Sequence, residues 1–147
     1  MAYAFRLPLA GASSLAAIAT QGATGKRLLP LALSRKGELY VGEYRRIASG
    51  VEKLGDERAL SFVELAARLR ADPEAVALGP PVAGLRAELS AAGVPGGQLT
   101  DGPSFPPAAV LPSLAELSGG YDFQRLASLE PHYVGTSGAE RNAPRRG

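Results

Sequence analysis

The sequence holds no cysteine, no tryptophan, one methionine and one histidine in 147 residues. Without cysteine, a disulfide framework and a thiolate zinc site are both excluded, and a reducing compartment is allowed. A single histidine cannot build a histidine-rich metal site. That residue, His132, stands near the end in LEPHYVG, and a lone histidine is more often a surface or core residue than a base. Serines are plentiful, yet no G-x-S-x-G elbow presents one as a nucleophile. Asp56-Glu57 and the Asp72 to Glu74 stretch read as solvated loop charges, not as converging ligands. The expectation is no catalytic residue, no metal and no cofactor.

Long apolar runs are also missing, and none approaches the roughly 20 residues that span a bilayer. Arg6 followed by LPLAGASSLAAIA has one charge, a moderately apolar stretch and small residues near Ala17 and Ala19, the ingredients of a secretion signal. Pro8, Gly11, Ser13 and Ser14 interrupt it, and the charge lies behind an apolar MAYAF. A soluble, cytoplasmic chain with no membrane partner is therefore expected. Charge of one sign is scarce as well: 16 Lys plus Arg stand against 14 Asp plus Glu, and the closing RNAPRRG supplies much of the excess. Only two short basic clusters exist, Arg35-Lys36 with Arg45-Arg46 and the terminal arginines, a weak footprint for nucleic acid.

What is present suits one α/β domain, since 46% of the residues are hydrophobic and the length fits one core but not two. RLPLAG, Arg6 to Gly11, reads as a short strand, and Ser13 or Ser14 caps a helix through Leu15 to Ala19. QGATGKR then breaks the pattern. A phosphate loop there would need Gly at position 20 and Ser or Thr at 27, where Thr20 and Arg27 stand, so it reads as a turn. Leu29, Leu31 and Leu33 alternate before Gly37, and Leu39 and Val41 alternate with Tyr40 and Tyr44 after it, which predicts a β-hairpin. Gly50 and Gly55 mark loops around VEKL, a third strand. Ser61 and Glu64 form a capping box ahead of Phe62, Leu65, Ala66 and Leu69 on one helix face, stopped by Asp72-Pro73. AVALGP reads as a buried strand ending at Gly79; Leu85, Leu89 and Ala92 mark a helix ending at Gly93. A short strand falls around Gln98 to Thr100, and a last helix spans about Ala108 to Leu117, interrupted or started late by Pro112. Strands alternating with helices give an α/β layer architecture with an antiparallel portion at the hairpin.

The tyrosines offer two readings. Tyr40 and Tyr44 share one face of the second hairpin strand and could form a stacking platform beside Arg35, Lys36, Arg45 and Arg46. The alternative, which strand preference for aromatics favours, packs them beneath a helix with their hydroxyls at the rim. A small RNA-binding module using Arg35, Lys36, Tyr40 and Arg45 is the second functional expectation, and a degenerate fragment with no independent function a further one.

Several segments, taken in order, resemble the TsaB (YeaZ) family, the non-catalytic partner in the bacterial machinery that makes threonylcarbamoyladenosine next to the tRNA anticodon. LAGASSLAAIA is similar to the family's V-x-G-V-S-S-L-E-A-L-A, and LALSRKGELYVGEYRR to its D-A-R-x-G-E-V-Y hairpin. SFVELAARL and ALGPPVAGLRAEL fit the following helix, strand and helix, and SLEPHYVGTSGAERN resembles the closing E-P-x-Y-L-R with its A-E. The resemblance runs from about Ala2 to Asn142. Ser34 stands where the family has Asp, and Gly135 where it has Arg.

The resemblance implies the C-terminal lobe of an actin-like ATPase or RNase H-like fold, a mixed sheet with flanking helices over residues 1–135 and a loose tail over 136–147. MAYAF matches only the end of the family's first long helix, so the resemblance implies a first lobe that is missing or supplied elsewhere. It further implies a non-enzymatic scaffold and dimerisation subunit. Its partners would be a TsaD-like catalytic subunit, bound less well without the first lobe, and a TsaE-like ATPase, with tRNA contacted only indirectly. A face uncovered by the absent lobe would favour self-association or low solubility. The candidate interaction residues are Arg35, Lys36, Gly37, Glu38, Tyr40, Tyr44, Arg45, Glu130 and Tyr133.

Overall fold

The computed structural model describes residues 10–34, 37–102, 107–115 and 122–129. The chain is α/β, as expected, built on a mixed five-stranded sheet in the order β3-β2-β1-β4-β5. Strands β1 (Arg27–Leu33), β2 (Glu38–Ile47) and β3 (Gly50–Ser61) form an antiparallel meander, and β4 (Ala75–Gly79) and β5 (Leu99–Asp101) add in parallel beyond β1.

The expected hairpin is β1 and β2. Gly37, at φ 83°, supplies the left-handed residue that closes it, and Leu33 pairs with Leu39 at its tip. Pairing between β1 and β2 skips Leu29 and Pro30. A central strand rarely carries proline because the ladder loses a donor; here Pro30 is instead in register with Leu78 of β4 and fully buried.

β3 corrects one expectation. Gly55 does not mark a loop after VEKL but lies inside a twelve-residue strand, opposite Glu43. The β2–β3 register shifts on both sides of Glu43, so β3 carries extra residues there and bends. The mobility usually read into a glycine is replaced by a close approach: a Cβ on Gly55 would lie 3.2 Å from the Glu43 carboxyl carbon.

Helix α2 (Phe62–Ala71) starts at the predicted capping box. The Ser61 hydroxyl accepts from the Glu64 backbone N–H at 3.3 Å, and the Glu64 carboxylate accepts from the Ser61 N–H at 2.8 Å. Helix α3 (Pro81–Ala91) follows β4 directly and ends before Gly93, whose φ of 83° turns the chain. Leu65, Leu69, Val82 and Leu89 from these helices meet Leu29, Leu31, Leu39 and Val41 in the main core.

A second, smaller core lies around α1 (Ser14–Ala19), where Leu15, Ile18, Leu28, Tyr44 and Leu78 pack together. Six residues are too few for a helix that stands alone, since isolated helices need roughly 12–15. Burial of Leu15 through Ala19 and the Ser13 N-cap hold it in place.

At the carboxyl ends of the parallel strands, Gly79 has φ 137° and a Cβ there would sit 2.4 Å from the Leu31 carbonyl oxygen. Only glycine fits that crossing point. The β5 expectation is met one residue later than drawn, because Gln98 belongs to a 3₁₀ turn (Gly96–Gln98). In the last expected helix, residues Ala108–Val110 form a 3₁₀ turn and α4 (Leu111–Leu114) starts late, with Pro112 in its first turn. A further short helix, α5 (Phe123–Ala127), follows. The expected N-terminal strand falls mostly outside the described residues, and Ala10 and Gly11 are not in a strand. The expected tail over 136–147 lies outside the described residues too.

Candidate functional site

Of the candidate interaction residues, Gly37, Glu38, Tyr40, Tyr44 and Arg45 are on the described hairpin. Arg35, Lys36, Glu130 and Tyr133 lie outside the described residues, as does His132. Gly37 makes the turn, and Glu38 opposes Ser61 across β2 and β3. Tyr40 is half-buried beside Ala32, its cross-strand partner. Arg45 is half-exposed and forms a 3.5 Å ion pair with Glu52, its neighbour on β3.

Tyr44 settles the two tyrosine readings at its own position. It is 3% exposed, packed against α1, and its hydroxyl donates to Glu57 Oε1 at 2.6 Å. A ring so enclosed has no free face for a base, so the stacking platform loses Tyr44. The Ser13 hydroxyl donates to the same Glu57 oxygen while accepting from the Leu15 and Ala16 N–H groups. One carboxylate thus ties β2 to the cap of α1. Burial, reinforced by that carboxylate, pushes the Tyr44 phenol well above its ordinary value of 10.0.

The densest polar arrangement surrounds Glu43, a residue that the sequence alone did not single out. Its side chain is about 10% exposed. Arg27 Nη2 donates to Oε2 at 3.1 Å, Arg58 Nη2 lies 3.4 Å from Oε1, and Arg68 Nη2 donates to the same Oε1. Arg27 also reaches Asp72 Oδ2 at 3.0 Å. The three arginines come from β1, β3 and α2, so Glu43 joins elements far apart in the chain. A buried carboxylate is tolerated only when several charged donors meet it in this way. Local sequence carried a faint sign of it: a charged residue among the alternating apolar positions of β2.

Neither the family models nor the curated proteins yield a match to this chain.

Chemically, the arrangement binds elements together. Among the described residues, no group of three or more His, Asp or Glu side chains converges as a cation site. No buried side-chain polar atom there lacks a partner. Gln98 illustrates how fully such groups are satisfied. It is 5% exposed, and its amide nitrogen lies 2.8 to 2.9 Å from the carbonyl oxygens of Leu69, Asp72 and Ala75, closing the end of α2 onto β4. No helix among the described residues is long and apolar enough to cross a membrane.

Proposed function

We propose that this chain is a non-catalytic lobe of TsaB type that scaffolds the machinery placing a threonylcarbamoyl group on tRNA. The observation that carries the reading is the sheet order β3-β2-β1-β4-β5, an antiparallel meander followed by two parallel strands. That is the arrangement expected of an RNase H-like lobe, and four of the segments resembling the family fall on its elements in sequence, the closing SLEPHYVGTSGAERN lying almost wholly outside the described residues. LAGASSLAAIA holds the Ser13 cap and α1, the hairpin motif spans β1 to β2, SFVELAARL is α2, and ALGPPVAGLRAEL covers β4 to α3.

The polar chemistry supports a bracing role. Glu43 and Glu57 are occupied in fastening strands and helices to each other, which suits a rigid support. Large apolar side chains remain at the surface, Leu33 at 73% and Val63 at 71% exposure, and these favour association with another chain or copy. The partners would be a TsaD-like catalytic subunit and a TsaE-like ATPase, with tRNA held chiefly by them.

The test is reconstitution. The purified full chain, mixed with TsaD-like and TsaE-like subunits of the same source, should co-elute with the former and raise the rate of threonylcarbamoyl transfer to tRNA. Modification of tRNA or ATP hydrolysis by the chain alone, or failure to co-elute and to stimulate, would overturn the reading.

A further inference from the structure

We propose that the outer edge of β3 is the docking surface for a second copy of this chain, the two strands pairing antiparallel about a two-fold axis at Gly55 and joining two sheets into one. The proposal stands independently of the scaffold reading. β3 is the terminal strand of the sheet, and among the described residues no strand lies beyond it. The backbone groups it turns outward can be located. Arg46 donates its N–H to the Lys26 carbonyl and its own carbonyl accepts from Gly25, so both point to the β1 side. Residues opposite each other in an antiparallel ladder either exchange both bonds or turn both away. Val51, opposite Arg46, therefore turns its N–H and C=O to the open edge, as does Lys53 two residues on. At the other end the Glu38 carbonyl accepts from Ser34, which turns Ser61, its partner on β3, outward and Ala59 with it.

These positions match themselves when the strand is reversed. With Gly55 on the axis, Val51 falls opposite the second copy's Ala59, outward groups against outward groups, as a ladder requires. The bends match too. Gly55 opposes Glu43, while Glu52 and Arg58, three residues to either side, oppose Arg45 and Val41, each two residues from Glu43. The strand thus carries one extra residue on each side of Gly55, and two copies laid antiparallel keep step through both irregularities. A surface that is its own complement is what a two-fold dimer needs.

Charge selects a copy of the chain over other strands. Arg58 and Glu52 lie on the face of Glu43, while Lys53 and Glu57 lie on that of Tyr44. On the first face Glu52 then stands opposite the second copy's Arg58, and on the other Lys53 stands opposite its Glu57. The axis makes each pair twice, and opposite charges directly across a ladder stabilise it. Glu52, Lys53 and Arg58 are each about half exposed and held by contacts of 3.4 to 3.5 Å, so they are able to turn to the new partner. To an unrelated strand the same charges and bends are obstacles, the devices that protect an edge from indiscriminate pairing.

Sedimentation equilibrium of the full chain over a concentration series, repeated at rising KCl, tests this. A reversible monomer–dimer equilibrium is expected, weakening as salt screens the pairs. Amide hydrogen exchange should show Val51, Lys53 and Ala59 gaining protection with protein concentration, while β5 at the opposite edge gains none. Lys53→Glu sets like charges across the ladder twice and should weaken dimerisation roughly tenfold or more. Ala59→Pro removes an outward N–H and no bond to β2, a placement that edge strands tolerate, and should weaken it comparably. The melting temperature of the dilute monomer certifies the fold in both variants. A chain monomeric at the highest concentration reached, or a dimer that both folded variants leave intact, would overturn the proposal. So would a dimer lost instead on Leu33→Asp or Val63→Asp, which would put the contact on the exposed apolar side chains.

Discussion

Gly55 stands directly across the β2–β3 ladder from Glu43, close enough that the carboxylate occupies the space a side chain would fill. Because three arginines fix Glu43, the neighbour cannot step aside. Gly55→Val should therefore destabilise the fold by about 1–3 kcal/mol through overpacking. Urea unfolding reads this directly, and a variant as stable as the parent would show that the Glu43 hub yields.

Gln98 offers a second measurement. Its amide meets three backbone carbonyls in a buried setting. Gln98→Leu keeps much of the volume and strands those acceptors, at about 1–3 kcal/mol for each group left unpaired and fully dry. Hydrogen exchange should locate the loss at the end of α2 and along β4, with the meander still protected.

The capping box predicts a pH dependence. Hydrogen bonds from the Ser61 hydroxyl, then from the Ser61 backbone, hold the Glu64 carboxyl below its ordinary value of 4.5. A carboxyl depressed by folding stabilises the protein above its unfolded value, and that contribution fades as the pH falls through the lower folded one. Ser61→Ala should cost about 1 kcal/mol at neutral pH and should flatten the acid limb of a plot of unfolding midpoint against pH. An acid limb identical to the parent's would remove Glu64 from the account.

Tyr44 predicts the opposite limb. Its phenol is raised on folding, so its contribution is complete below the unfolded value of 10.0 and declines as the pH climbs beyond it. Ultraviolet titration should find one tyrosine that resists ionisation until the chain unfolds, and Tyr44→Phe should abolish that late step. The same variant should lose about 1–2 kcal/mol at neutral pH, because Glu57 forfeits a donor in a half-dry site. Titration of every tyrosine together near the ordinary value would contradict the enclosure.

These cases also show what local sequence encodes. Ser61 with Glu64, Gly37 in the hairpin and Gly93 after α3 act on residues within a turn of themselves, and each was legible. Gly55 was misread because its reason lies on another strand: the space it leaves is used by Glu43, twelve positions earlier. Glu43 escaped notice for a related cause, since Arg27, Arg58 and Arg68 are brought to it only by the sheet and by α2. Tyr44 was ambiguous until α1 was seen to cover it, and Gln98 looked like the start of a strand when its side chain closes a helix end.

The place of β1 between an early neighbour and a late one has a bearing on synthesis. As the chain leaves the ribosome, β1, β2 and β3 emerge and zip by local pairing, while β4 arrives only after α2 has been made. For that interval the flank of β1 is a raw hydrogen-bonding rim on a nascent protein, the kind that captures other chains. Pro30 leaves that rim intact, because its missing N–H lies on the β2 side where the ladder skips it, while Leu31 keeps its backbone N and O turned toward Gly79 of β4, so the late strand still finds its partners when it arrives.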